Sequence, residues 1–225
     1  MRPPQITYEG QTMFNICYNC GEYRVDKLIE PDGPYAVCPA CGHKHPFRQL
    51  PLLIVAGASG AGKSAAGQRL LGKIEEVVLL EGDLLWRPEF NRPLEKYNDF
   101  FETWLRLCKN VAQAGRPVAL FNAGAIPANV EPCVERRYFS EIHYLALVCD
   151  NDLLVQRLQK RSNWRGFDDP AVIERNIEFN QWFKANAGQT SPAMELLDTS
   201  RVSVEETARQ VAGWMRGKVG GLVKI

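Results

Sequence analysis

At 225 residues the chain can hold one large domain, or one domain with a small companion. Its 45% apolar and 24% charged residues are ordinary for a globular protein, and a formal net charge of +1 supplies no field for a polyanion. No run approaches the ~18 apolar residues of a membrane span. The opening Met1-Arg2-Pro3-Pro4-Gln5 also lacks the apolar stretch of a signal peptide, so a cytoplasmic protein with no membrane partner is expected.

Residues 1–50 differ from the rest. Of seven cysteines, four fall in two pairs, Cys17-x-x-Cys20-Gly21 and Cys38-Pro39-Ala40-Cys41-Gly42. That spacing suits zinc, and in a reducing compartment seven cysteines point to metal or free thiols rather than disulfides. Each glycine allows the turn that aims two sulfurs at one ion. Four thiolates close a tetrahedral site, so the zinc is read as structural. Between the pairs, Tyr23, Val25, Leu28, Ile29, Tyr35 and Val37 flank the turn Pro31-Asp32-Gly33-Pro34, which predicts a small hairpin. The stretch resembles the zinc-ribbon family, with Cys17, Cys20, Cys38 and Cys41 on its ligand positions. His43 and His45 are expected on the surface. Nucleic acid is not an expected partner, because Arg24, Lys27, Lys44 and Arg48 are interspersed with Glu22, Asp26, Glu30 and Asp32.

From Pro51 to residue 225 apolar strands alternate with amphipathic helices, which predicts an α/β domain with a parallel sheet of about five strands covered on both faces. Strands are expected near 52–56, 77–81, 117–122, 143–149 and 194–198. Helices are expected near 63–73, 95–114, 131–139, 151–161, 170–186 and 204–216. The organising stretch is Gly57-Ala58-Ser59-Gly60-Ala61-Gly62-Lys63-Ser64, which matches G-x-x-x-x-G-K-[ST] at every fixed position. It follows the apolar run Leu52–Ala56 and opens a helix that continues through Ala65, with Leu70 and Leu71 expected inside. A glycine loop with inward N–H groups, at a helix N-terminus carrying roughly half a positive charge, cradles phosphates. ATP is the expected ligand, with Lys63 on its β- and γ-phosphates and the Ser64 hydroxyl on Mg²⁺.

The second strand runs into Glu81-Gly82-Asp83. Ligands of open α/β sheets sit beyond the carboxyl ends of the strands, so Asp83 should lie beside the phosphate loop and act as base toward an acceptor hydroxyl. Glu81, two residues away on an extended strand, is expected on the same side. Gly115 should end the long helix before Pro117. Asp150 and Asp169 are expected to cap helices, and Ser203-Val204-Glu205-Glu206 reads as a capping box. Cys108, Cys133 and Cys149 read as buried thiols.

Together the phosphate loop and Glu81-Gly82-Asp83 resemble the P-loop small-molecule and nucleoside or nucleotide kinases over roughly residues 51–217. That resemblance implies a three-layer P-loop fold and phosphoryl transfer from ATP. It implies an acceptor region near Trp86 and Arg87, with Phe90, Tyr97 and Phe101 nearby. It implies a lid whose arginines clamp the phosphoryl group, at Arg157, Arg161 and Arg165. It also implies adenine contacts in the Thr199–Val202 loop. Asn122 stands where many such enzymes carry an Asp, which shifts the metal-ordering task to Glu81 or Asp83. Arg175, Asn176 and Asn180 are candidates to face the cleft. A nucleoside or nucleotide acceptor is favoured, with a sugar acid or polyol second. A nucleotide-gated binding protein, its ribbon recognising nucleic acid or protein, is the reading from another class. The oligomeric state stays open between monomer and homodimer.

Overall fold

The computed structural model describes residues 15–95, 97–161 and 169–220. Two sheets form. The first is antiparallel and three-stranded, with β1 (Leu28–Glu30), β2 (Tyr35–Val37) and β3 (Lys44–Pro46) in that order. The expected hairpin is its first half, and β3 adds a strand that pairs Ala36 with His45. His45 is therefore not on the surface. It is 3% exposed, and burial holds its imidazole down at about 4. His43 is exposed.

The second sheet has five parallel strands in the order β5-β6-β4-β7-β8. These are β4 (Leu52–Ala56), β5 (Val78–Glu81), β6 (Val118–Phe121), β7 (Ile142–Val148) and β8 (Glu195–Asp198). Strand β4 pairs on one side with β6 and on the other with β7, so its backbone is enclosed by neighbours on both edges. Its side chains alternate between two cores, as a strand buried on both faces must. Leu52, Ile54 and Ala56 join one core, with Phe100, Trp104 and Leu105 of α2 (Asn98–Ala112) and Phe183 of α5 (Pro170–Asn186). Leu53 and Val55 join the other, with Ala66 and Leu70 of α1 (Lys63–Leu70) and Ala208, Val211 and Met215 of α6 (Val204–Val219). The result is a three-layer α/β fold.

Several end signals act as read. Asp169 accepts from the Ala171 N–H at 2.8 Å, with Pro170 at the first helical position. Ser203 Oγ accepts from the Glu206 N–H at 3.1 Å. Glu206 does not reach back, because Arg209 and Gln210 hold its carboxylate. Asp150 stands at the N-cap of α4 (Asn151–Gln159) without a side-chain capping bond. Leu71 is 63% exposed, because α1 stops one residue earlier and only Leu70 turns inward. The helix expected near 131–139 is instead the short α3 (Pro127–Val130) and a 3-10 turn at Val134–Tyr138. Pro127 sets the first start, and the Glu102 carboxylate from α2 takes the Val134 and Glu135 N–H groups at the second. Cys108, Cys133 and Cys149 are buried thiols.

The small sheet docks on α2 and on the 3-10 turn after α3. The Tyr138 hydroxyl donates to Val25 O at 2.6 Å, and the Tyr138 ring meets Phe47 edge-on. Gln113 exchanges two bonds with the Arg48 backbone. Beneath them, Lys109 pairs with Glu135, donates to Asn15 and sits over the Tyr138 ring. Glu135 is fully buried and also accepts from Arg106 at 2.9 Å. Among the described residues no helix is long and apolar enough to cross a membrane.

Candidate active site and cysteine centre

The phosphate loop leaves the carboxyl end of β4, where the sheet order reverses between β6 and β7 and a crevice opens. Gly57 makes the exit possible. Its φ is 134°, and a Cβ there would lie 2.3 Å from the Leu147 carbonyl oxygen, so no side chain fits. The loop closes on α1, where Gly62 is the N-cap at φ 106°. The N–H groups of the first helical turn have no intrahelical partner and face the crevice mouth as an anion cradle.

Lys63 is 8% exposed and folds over the loop, donating to Gly57 O at 2.6 Å and Ala58 O at 3.1 Å. Burial pulls its ammonium down to about 8, while Asp83 and Glu81 nearby pull the other way. A small cavity of about 40 Å³ collects Ser59, Gly60, Gly62, Lys63, Ser64, Glu81, Asp83, Ala123 and Arg161. Glu81 and Asp83 share it for a reason other than strand alternation. Strand β5 ends at Glu81, and Gly82–Leu85 is a 3-10 turn that carries Asp83 round to the same side.

A larger cavity of about 300 Å³ adjoins the loop, lined by Gly60, Gly62, Ser64, Ala65, Arg157, Lys160, Arg161, Thr199, Val202, Val204 and Thr207. Arg157 and Arg161 both reach this wall, but they differ in what they hold. Arg157 donates to Gly60 O, Thr199 Oγ1 and Thr199 O at 3.1–3.2 Å. Thr199 Oγ1 in turn donates to Ala61 O at 3.0 Å, so Arg157 ties the phosphate loop to the loop after β8. Arg161 lines both cavities and stands with the two carboxylates. Arg165 lies outside the described residues, as does the rest of 162–168.

Other expected residues divide. Asn176 accepts from the Ser59 N–H at 2.9 Å and so holds the loop directly. Asn180 is fully buried and clasps both backbone groups of Cys149, so it does not face the cleft. Arg175 is exposed. Trp86 and Arg87 line neither cavity. Trp86 is 45% exposed and is buttressed by Tyr97 and Phe100, while Arg87 sits over the Phe90 ring. Phe101 is buried in the core beneath them. Tyr97 has φ 56°, the left-handed region that a bulky residue rarely adopts. Gly57, Ala58 and Ala61 support the loop from behind the cavities through their carbonyls.

Two further residues hold the turn at Gly82. Asn122 has only 7% exposure, accepts from the Gly124 N–H and packs on the α-carbon of Gly82. Trp104 donates its indole N–H to Gly82 O at 3.1 Å. A tryptophan on an apolar helix face carries no sequence signal for such a bond.

The second site lies in the small sheet. The sulfurs of Cys17, Cys20, Cys38 and Cys41 lie within 4.8 Å of one another. Cys17 and Cys41 approach to 3.7 Å and Cys20 and Cys38 to 3.9 Å. A tetrahedron with zinc–sulfur bonds of about 2.3 Å has edges of about 3.8 Å, so these residues fit zinc. The two loops are built alike. Gly21 donates to Cys17 O and Gly42 to Cys38 O, both at 2.8 Å.

No family profile and no curated protein sequence matches this chain. Solved structures do resemble it. A sugar kinase from a Janibacter species is 14% identical with a TM-score of 0.54, over 78% of this chain and 99% of that one. A gluconokinase from Sinorhizobium meliloti is 19% identical with a TM-score of 0.50, over 77% of this chain and 96% of that one. Likeness at this level is one of architecture: the chain has the fold of the P-loop kinases, joined to a small sheet that carries a four-cysteine cluster.

Proposed function

We propose that the protein transfers the γ-phosphoryl group of Mg·ATP to a hydroxyl or phosphate of a small molecule. In this reading residues 51–225 form the kinase domain and residues 1–50 a structural zinc ribbon. The observation that carries the proposal is the convergence of Lys63, Ser64, Glu81, Asp83 and Arg161 on one small cavity beside the larger one. One cavity suits a phosphoryl group in flight, and the other, with Thr199 and Val202, suits the nucleoside end of ATP.

The residues divide the work by charge and position. Loop N–H groups and the Lys63 ammonium hold the phosphate tail. To do so Lys63 exchanges its two carbonyl partners for phosphate oxygens. Ser64, with Glu81, would hold Mg²⁺, which when bound neutralises charge on the β- and γ-phosphates. Asp83 accepts the proton of the acceptor hydroxyl as its oxygen forms the new bond to phosphorus. The bond from phosphorus to the β-phosphate oxygen breaks, and ADP leaves. Arg161 offsets the charge on the equatorial oxygens. Arg157 keeps the loop and Thr199 in register, and Cys17, Cys20, Cys38 and Cys41 would hold zinc away from this chemistry.

For the acceptor, the half-exposed Trp86 ring offers a stacking surface beyond Asp83, which favours a planar nucleoside or nucleotide. The test is ADP release from Mg·ATP with a panel of nucleosides, nucleotides, sugars and sugar acids. One class should raise turnover well above that in water. Stimulation by nucleic acid alone would contradict the reading and favour a nucleotide-gated binding protein.

A further inference from the structure

Gly82 lies between the two carboxylate-bearing residues of the site, and it is gripped from both sides. On one side the Asn122 amide fills the space a side chain would need. A Cβ on Gly82 would stand 2.3 Å from Asn122 Nδ2. Asn122 cannot retreat, because its N–H bonds Val55 O at 3.1 Å and its Oδ1 accepts from Gly124 at 3.0 Å. The sterics therefore demand glycine. Glycine is also the residue whose backbone rotates most freely, so the position brings looseness next to Asp83.

On the other side Trp104 removes that looseness. Its ring is 0% exposed, and its indole N–H bonds Gly82 O at 3.1 Å. The Gly82 carbonyl and the Asp83 N–H belong to one planar peptide unit. Fixing the direction of the carbonyl fixes the plane from which Asp83 departs. Neither Trp104 nor Asn122 lines the small cavity.

We propose that Trp104 is a positioning residue for Asp83, locking through the Gly82 carbonyl the turn that presents the carboxylate to the acceptor. The proposal rests on the reading of Asp83 as the base, but the lock itself is measured without it. The readout is amide hydrogen exchange on the zinc-loaded full chain. Trp86 N–H bonds Asp83 O at 3.1 Å and reports the turn, while Ala66 N–H bonds Gly62 O at 2.9 Å and reports the phosphate loop.

In Trp104→Phe one aromatic ring is kept, and the second ring and the donor are lost. Exchange at Trp86 should rise about tenfold, the worth of one buried hydrogen bond, with Ala66 unchanged. With the acceptor found in the panel, kcat should fall about tenfold or more while the KM for Mg·ATP stays within about twofold. Should Trp104→Phe loosen the whole chain, benzothienylalanine at position 104 keeps the ring shape and replaces N–H by sulfur, and the same local rise is expected. Unchanged exchange at Trp86 in the well-folded variant overturns the proposal. An Asp83→Asn protein with full phosphotransfer would instead remove the base assignment and leave the exchange result to judge the lock by itself.

Discussion

Replacing Lys63 by Met isolates the energetics of the phosphate loop. Lys63 is buried, its two partners are carbonyls, and burial lowers its ammonium from 10.5 to about 8. The folded state therefore gives up the proton first as pH rises. Between about pH 8 and about pH 10.5 the unfolded state binds more protons, so stability climbs with pH across that window. The gap corresponds to roughly 3 kcal/mol of stability withheld while both states are protonated. Lys63→Met has nothing to titrate there. Urea unfolding of both proteins from about pH 7.5 to about pH 10 cancels the other titrating groups. The difference between them should shift in favour of the lysine protein by on the order of 2 kcal/mol as pH rises. Saturating Mg·ADP should weaken that slope, because phosphate oxygens favour the charged lysine. A difference flat to within about 0.5 kcal/mol would refute the burial argument.

Further expectations concern metal, charge and packing. The protein should carry one zinc per chain, and chelation should abolish amide protection across β1–β3 while β4 to β8 keep theirs. Absence of zinc with an unchanged exchange pattern contradicts the cysteine assignment. Glu135→Gln leaves the buried Lys109 ammonium without its carboxylate, so stability should drop by about 3–5 kcal/mol in urea unfolding. The double variant Glu135→Gln/Lys109→Met should recover most of it, and a single-variant loss under about 1 kcal/mol would show the pair to be dispensable. Gly82→Ala forces a methyl into Asn122 and should cost about 1–3 kcal/mol, with thermal unfolding as the check. A fully stable Gly82→Ala protein would mean that Asn122 yields.

What the sequence disclosed was whatever local chemistry determines. The apolar run before Gly57, the glycines and Lys63-Ser64 specify strand, loop and helix within a few residues of one another. The paired cysteines, Asp169-Pro170 and the Ser203 cap are likewise local. What it hid depends on groups that meet only after folding. The turn at Val134 exists because Glu102, on another helix, receives its N–H groups. His45 is inside because β3 returns beside β2. Asn180 reads as a candidate to face the cleft, yet folding brings it to the end of β7 instead. Arg157 and Arg161 looked equivalent as two arginines four apart, and only the positions of Thr199 and Gly60 separate their roles. Glu81 and Asp83 line one cavity because a 3-10 turn, and not strand alternation, brings them together.

The γ-phosphoryl group should pass to a small-molecule acceptor with Asp83 taking the proton. The most direct measurement follows γ-labelled ATP with the best acceptor of the panel, in the unaltered protein and in Asp83→Asn. Stoichiometric label is expected on the acceptor with ADP released, and transfer should fall by about a hundredfold or more in Asp83→Asn while Mg·ADP still binds. Label appearing only as free phosphate, or an Asp83→Asn protein transferring at the full rate, would contradict it.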